Sequence, residues 1–318
     1  MSHAPSMKPL STKDLVTSAS LTEEDLRLLL ETAASTKRDI APFRHALDGR
    51  SVVLLFEKPS LRTRLTFEVG VHRLGGQAIY YDHAKERIGQ RETTKDYAKN
   101  LERWVAAIVA RTYAQATVEQ LAVHARIPVI NALSDAYHPC QALADVLTLH
   151  ERFGKLRGLR VAYIGDGCNT AVSLMHLCPR LGVELMVITP AGYEPPAAET
   201  GFAMGLAMER GTRLSVSNDP RDVSVAGGVD AVYTDTWVSM HLEHESDARE
   251  RAFAPYQVNA TLMSRAAPHA VFMHCLPAHR GEEVTDDVID SPRSLVYEQA
   301  ENRLHAQNAV LLHTIGVR

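Results

Sequence analysis

Short apolar runs recur along this chain, separated by stretches with helical spacing. Ser51-Val52-Val53-Leu54-Leu55-Phe56 reads as a buried strand. A turn at Lys58-Pro59-Ser60 follows, then a helix with Phe67, Val71 and Leu74 on its inner face and a stop near Gly75-Gly76. Upstream, Leu26, Leu29, Leu30 and Ala33 share one face of a helix starting near Thr22, where Thr22 and Asp25 stand at capping-box spacing. Residues 1–20 are polar and are expected to fray at their start. Residues 78–81, 106–110 and 128–130 are further strand-like runs. His138-Pro139 opens a helix running through Leu143 and Leu147 towards Gly154, with Pro139 suited to its first turn.

The pattern then restarts. Residues 160–164 form a strand that ends in Gly165-Asp166-Gly167, and a helix covers about 170–181. Strand-like runs return at 183–189, 213–216, 230–233 and 270–273, and a last helix spans 298–313. Strand alternating with helix predicts an α/β fold with parallel sheets. The break at Phe153-Gly154-Lys155 divides it into two domains, at 1–150 and 151–298. The length of 318 residues agrees, at about 150 residues per domain.

Composition narrows the class. Lys plus Arg is 34 and Asp plus Glu is 38, a net charge of −4, which excludes the basic footprint of a nucleic-acid binder. No apolar run approaches the roughly 18–20 residues of a membrane span. Met1-Ser2-His3-Ala4-Pro5 lacks a signal-peptide pattern. Cys140, Cys168, Cys178 and Cys275 show no CxxC pairing. The expectation is a soluble, reduced, cytoplasmic protein. There is no HExxH, no paired CxxC and no carboxylate-rich calcium loop, so a metal site is not expected.

In open parallel sheets, ligands bind beyond the carboxyl ends of the strands. After the first strand come Ser60-Leu61-Arg62-Thr63-Arg64, which bring two hydroxyls, two guanidinium groups and a helix start together. Helix starts bind anions through free N–H groups, and arginine forks match phosphate oxygens. The plainer reading is a polar helix cap. Arg111 ends another strand, and His138 with Gln141 follows a third. Three anion-competent groups after three strands favour a phosphate site. In the second half, Gly165-Asp166-Gly167-Cys168-Asn169 has Thr170 where a dinucleotide motif needs Gly. Asp235 follows a strand and suits an amine, or serves as a simple turn cap. His274 and Cys275 follow the 270–273 run, where His274 is as readily structural as catalytic. The run Glu243 to Arg251 reads as a solvated helix face or loop.

Taken together, Phe56-Glu57-Lys58-Pro59-Ser60-Leu61-Arg62-Thr63-Arg64, His138-Pro139-Cys140-Gln141, Asp235-Thr236-Trp237-Val238-Ser239-Met240, His274-Cys275-Leu276-Pro277 and Glu301-Asn302-Arg303-Leu304-His305 resemble the aspartate/ornithine carbamoyltransferase family. The third and fourth segments look like its ornithine branch. The resemblance implies two α/β domains, the first for carbamoyl phosphate and the second for ornithine. It also implies a C-terminal helix, about 299–318, that crosses back to the first domain, and homotrimers with shared active sites. By motif match, Ser60, Leu61, Arg62, Thr63, Arg111, His138, Gln141, Cys275, Leu276 and Arg303 would hold carbamoyl phosphate. Arg87 would join them from a loop the family shares between neighbouring subunits. Asn169, Asp235, Ser239 and Met240 would hold ornithine. Arg62, His138, Asp235 and Cys275 would carry the chemistry, with no cofactor. The chain departs from the family pattern at Leu61, Arg87, Val172 and His241. The alternatives are a carbamoyltransferase for putrescine or an N-acylornithine, or a non-catalytic sensor of the same ligands.

Overall fold

The computed structural model describes residues 7–238 and 243–316. The chain divides into two compact units, residues 1–147 with 301–318, and residues 148–300.

The first unit is built on β1 (Ser51–Phe56), β2 (Gln77–Asp82), β3 (Ala107–Arg111) and β4 (Val129–Leu133), all parallel and in the order β2-β1-β3-β4. β1 and β3 are buried almost throughout, which is why they read as unbroken apolar runs. α1 (Glu23–Arg38) starts with the expected capping box between Thr22 and Asp25. α2 (Leu61–Arg73) connects β1 to β2. α3 (Thr94–Leu101) and α4 (Gln115–His124) escaped the sequence reading. Each puts only two residues in the core, Ala98 and Leu101, and Val118 and Leu121. These close over Val53, Leu55, Ile108 and Ala110. The N-terminal stretch is tied down within the described residues. Leu15 is buried and pairs with β4, its N–H on the Val129 carbonyl at 2.9 Å. α5 (Pro139–Phe153) follows β4.

The second unit has β5 (Arg160–Ile164), β6 (Glu184–Ile188), β7 (Leu214–Ser217), β8 (Ala231–Thr234) and β9 (Val271–His274), parallel in the order β7-β6-β5-β8-β9. Its helices are α6 (Asn169–Arg180), α7 (Ala197–Arg210), α8 (Ser246–Phe253), α9 (Ala260–Met263) and α10 (Asp286–Ile289). α7 was also missed. Its exposed face carries Phe202, Met204 and Met208, so no apolar–polar period marks it.

The last helix, α11 (Val296–Thr314), enters the first unit at Glu301. Gly70 of α2 permits its close approach: a Cβ at Gly70 would collide with Asn308 Oδ1. That contact sets Arg303 against the start of α2. Both sheets have a topological switch, between β1 and β3 and between β5 and β8. Such points are where open α/β sheets bind ligands.

Candidate functional site

In the first unit, Phe56, Arg111 and Leu133 stand in register, so three strands end flush. Ser60 caps α2, its Oγ accepting from the Thr63 N–H at 3.3 Å. Arg303 spreads its fork between two helix starts. Nη1 donates to Gln141 Oε1 at 2.6 Å and Nη2 to Thr63 Oγ1 at 2.9 Å. Gln141 passes the constraint on, its Nε2 donating to Asp145 Oδ1 at 2.7 Å. His138 is buried at the start of α5. Burial, then the positive charges of Arg303, Arg111 and Arg62, hold it well below the usual histidine range. It is therefore a neutral imidazole, which can donate one N–H without bringing a further charge.

The two arginines of the Arg62-Thr63-Arg64 segment part company. Arg62 acts on His138, whereas Arg64 lies over the Tyr80 ring at 3.7 Å and pairs with Glu68 at 3.0 Å. The expectation of two guanidinium groups in one place is corrected. Residues two apart on a helix do not face each other. Leu61, the first residue of α2, is 70% exposed.

Glu57, Lys58 and Tyr113 were not among the residues expected to hold a ligand, although Glu57 and Lys58 lie in the segment that carries the resemblance. The buried Glu57 carboxylate accepts from the Ile88 N–H at 2.9 Å and the Tyr113 N–H at 2.8 Å, joining two loops. Arg87 lies over the Tyr113 ring of its own chain, 4.3 Å from the centroid, and Lys58 Nζ lies 4.5 Å from the same centroid.

In the second unit, Ile164, Thr234 and His274 end neighbouring strands in register. Gly165 follows β5 at φ +140°, a backbone conformation that side-chain-bearing residues rarely adopt. Asp235 follows β8 and gathers donors. Cys275 Sγ donates to Oδ1 at 2.8 Å, and the Thr236 N–H to the same oxygen at 2.8 Å. Cys168 Sγ reaches Oδ2 at 3.8 Å, with Tyr163 Oη 3.2 Å from that sulfur. Burial, then the carboxylates of Asp235 and Asp166, push the Cys168 thiol up to about 12, so it stays protonated. Asn169 opens α6 beside it. Val172, a departure from the family pattern, is a buried residue of α6.

His274 is structural. It is buried, with its Nε2 3.2 Å from Glu283 Oε1, and its Nδ1 accepts from the Leu276 N–H at 2.8 Å. That last bond fixes the backbone just after Cys275. The 243–251 run is not simply solvated. Arg249 is buried, pairs with Asp166 at 2.9 Å and donates to the Trp237 carbonyl at 2.9 Å. Ser239, Met240 and His241 lie outside the described residues. One group among the described residues, His279, Glu282 and Glu283, has donor atoms close enough to share a metal ion. Glu283 Oε1 in it is already taken by His274 and the His279 N–H.

Residues 13–151 match the carbamoyl-P binding domain of the aspartate/ornithine carbamoyltransferase family, and residues 157–314 match its Asp/Orn binding domain. An ornithine carbamoyltransferase of Shewanella oneidensis is 50% identical over 92% of this chain and 96% of its own length. The anabolic ornithine carbamoyltransferase of Pyrococcus furiosus is 47% identical over 96% of this chain and 98% of its own. The solved structure of the ornithine carbamoyltransferase from Pyrococcus furiosus superposes with a TM-score of 0.92 at 46% identity, covering 98% of this chain and 99% of that one. The structure of the Thermus thermophilus enzyme superposes with a TM-score of 0.85 at 46% identity, over 96% and 99% of the two chains.

Proposed function

The chain belongs to the aspartate/ornithine carbamoyltransferase family, and from that membership we infer that it transfers the carbamoyl group of carbamoyl phosphate to the side-chain amine of L-ornithine, giving L-citrulline and phosphate. The observation that carries this reading is the Arg303 fork between Gln141 and Thr63, which sets positive charge around a neutral His138.

Carbamoyl phosphate belongs at the end of β1. Its phosphate meets the start of α2 through Ser60, the Leu61 N–H, Arg62 and Thr63, with Arg111, Gln141 and Arg303 around it. Ornithine belongs to the second unit, with Asn169, Asp235, Ser239 and Met240. Its side-chain amine, with a free pKa near that of lysine at about 10.4, loses a proton before it attacks the carbamoyl carbon. Asp235 orients the amine-bearing substrate, and Cys275 and Leu276 lie beside the reacting groups. As the amine adds, negative charge grows on the carbonyl oxygen. Arg62, Thr63 and His138 donate to it, each well-aimed donor contributing roughly 3–4 kcal/mol. Thr63 accepts from Arg303, so its own O–H is left to point at the ligand. Phosphate is already a good leaving group, and this route calls for no cofactor or metal.

The same reading includes a cytoplasmic homotrimer in arginine biosynthesis. The anabolic description of the Pyrococcus furiosus relative supports the biosynthetic role. Among the described residues no helix is long and apolar enough to cross a membrane, and all four cysteines are free. Leu61, Leu65 and Val69 form an exposed apolar stripe on α2, and Ile79 and Tyr81 are exposed on β2. That face suits further copies of the chain. Arg87 is exposed where it rests on Tyr113, and on this reading it would serve a neighbouring subunit's ligand.

The deciding experiment is citrulline formation by the purified protein from carbamoyl phosphate and ornithine, with putrescine and N-acetylornithine as competing acceptors. Turnover with ornithine alone upholds the reading. Preference for another amine replaces it, and binding without turnover makes the chain a sensor.

A further inference from the structure

Glu283, in the turn after β9, is fully buried, and its two carboxylate oxygens are treated differently. Oε1 accepts the His279 N–H at 2.6 Å and lies 3.2 Å from His274 Nε2. Because His274 Nδ1 accepts from the Leu276 N–H, Nε2 carries the ring proton and donates to Glu283. Oε2 is enclosed and has no hydrogen-bond partner among the described residues. A buried carboxylate oxygen left in that state calls for a water or an ion. His279 and Glu282 stand beside it. The Glu282 N–H closes a turn on the His279 carbonyl at 3.0 Å, and His279 Nδ1 lies 3.5 Å from Glu282 Oε2. One donor atom from each of the three residues lies within 4.8 Å of the others. With Oε1 taken, Oε2 is the oxygen that Glu283 offers to this group. Arg280, the cation within the turn, does not neutralise it: its guanidinium is held by Asp286 and Asp290 at 2.6 Å. The backbone of the turn is fixed as well. Gln257 Nε2 donates to the Gly281 and Glu282 carbonyls at 2.8 and 2.9 Å, and the Val258 N–H to the Glu283 carbonyl at 2.9 Å.

We propose that His279, Glu282 and Glu283 Oε2 bind a divalent metal ion of the zinc class, which pins the turn after β9. One imidazole and two carboxylate oxygens, with water as the fourth ligand, form a donor set that zinc accepts. Bonds of about 2.0–2.2 Å around a tetrahedral ion set its donors roughly 3.4 Å apart. The His279 and Glu282 atoms already stand at 3.5 Å. Both of these side chains reach solvent, so the ion has a path in, while Glu283 holds it from the buried side. The ion answers Oε2 and leaves Oε1 to His274. His274 in turn holds the Leu276 N–H, so the metal braces the backbone just after Cys275 through two outer partners. No step of the carbamoyl transfer is assigned to it.

The test uses the full chain, stripped with a chelator, and two probes, Zn²⁺ for calorimetry and melting curves and Co²⁺ for its visible spectrum. The wild type binds one ion per chain at this turn, and zinc raises its melting temperature. Bound Co²⁺ shows visible bands of nitrogen and oxygen ligation and lacks the near-ultraviolet band of a thiolate ligand. His279→Ala and Glu282→Gln change exposed side chains and leave the fold intact. Each weakens binding more than about a hundredfold, beyond the cost of losing an outer partner, and removes the zinc-induced rise in melting temperature. Cys275→Ser and Cys168→Ser, which remove the thiols near Asp235, leave this binding at the wild-type level. Three results overturn the proposal: no zinc binding below millimolar concentration, a cobalt spectrum with a thiolate band alone, or binding that Cys275→Ser abolishes and His279→Ala retains. The first would mean that water satisfies Oε2, and the other two that the ion belongs to the thiols.

Discussion

Cys275 Sγ donates to Asp235 Oδ1 at 2.8 Å, joining the residues that follow β9 and β8. The thiol thereby orients the carboxylate, and Oδ2 takes, among the described residues, the weak donor Cys168 at 3.8 Å; on the proposed reading this oxygen would meet the amine. Asp235→Asn removes that charge with little change of shape. The expected result is a KM for ornithine raised about ten- to a hundredfold, the scale of a lost charged hydrogen bond. Carbamoyl phosphate affinity stays near wild type. Steady-state kinetics with calorimetry on carbamoyl phosphate alone checks this. Equal loss of both ligands would make Asp235 a structural residue.

Arg303 makes two bonds that one ammonium cannot duplicate. Arg303→Lys leaves either Gln141 Oε1 or Thr63 Oγ1 without its donor. The fold should lose about 1–3 kcal/mol in denaturant unfolding. Turnover should fall further, by about 10²–10³, because the helix starts lose their common anchor and the developing oxyanion a preorganised environment. A variant that loses stability but keeps kcat removes Arg303 from the chemistry.

Acid should weaken the fold through its buried histidines. Burial is the first cause that holds His138, His176, His305 and His313 below the ordinary value. Below about pH 6.5 the unfolded chain takes up protons there that the folded chain refuses. The unfolded state then binds more protons, so stability falls as pH falls from about 6.5 towards the folded values. Melting curves between pH 7.5 and 5 should show this loss, and His176→Asn should flatten it relative to wild type. An unchanged slope would exclude His176 as a contributor.

Arg87 and Asp235 allow a test of shared sites. In a cyclic trimer whose sites take Arg87 from the next subunit, Arg87→Ala and Asp235→Ala chains complement each other. Random mixing makes about a quarter of the sites intact. Refolding the two inactive variants together should recover about that fraction of citrulline formation. No recovery in trimers shown to have mixed would assign Arg87 to the ring of Tyr113 and the site of its own chain.

The sequence by itself determined the two sheets and all nine of the strands among the described residues, because parallel strands buried on both faces leave apolar runs that turns and helix caps interrupt. It also determined which segments follow the carboxyl ends of strands: Ser60 to Thr63, Arg111, His138 and Gln141, Asp235, and Cys275. Strand ends are legible wherever an apolar run meets a polar motif. α3 and α4 were illegible because two inward residues make no period, and α7 because its outer face is as apolar as its inner one. Tertiary structure alone decided direction and pairing. Neighbours in sequence took different partners, the Arg62 charge acting on His138 and Arg64 lying over Tyr80, since a helix turns residues two apart away from each other. Distant residues met: Arg303 with Thr63, Cys275 with Asp235, Arg249 with Asp166 and Lys58 with Tyr113. These contacts depend on which strands lie side by side and how closely α11 approaches Gly70, and no local pattern of residues encodes either.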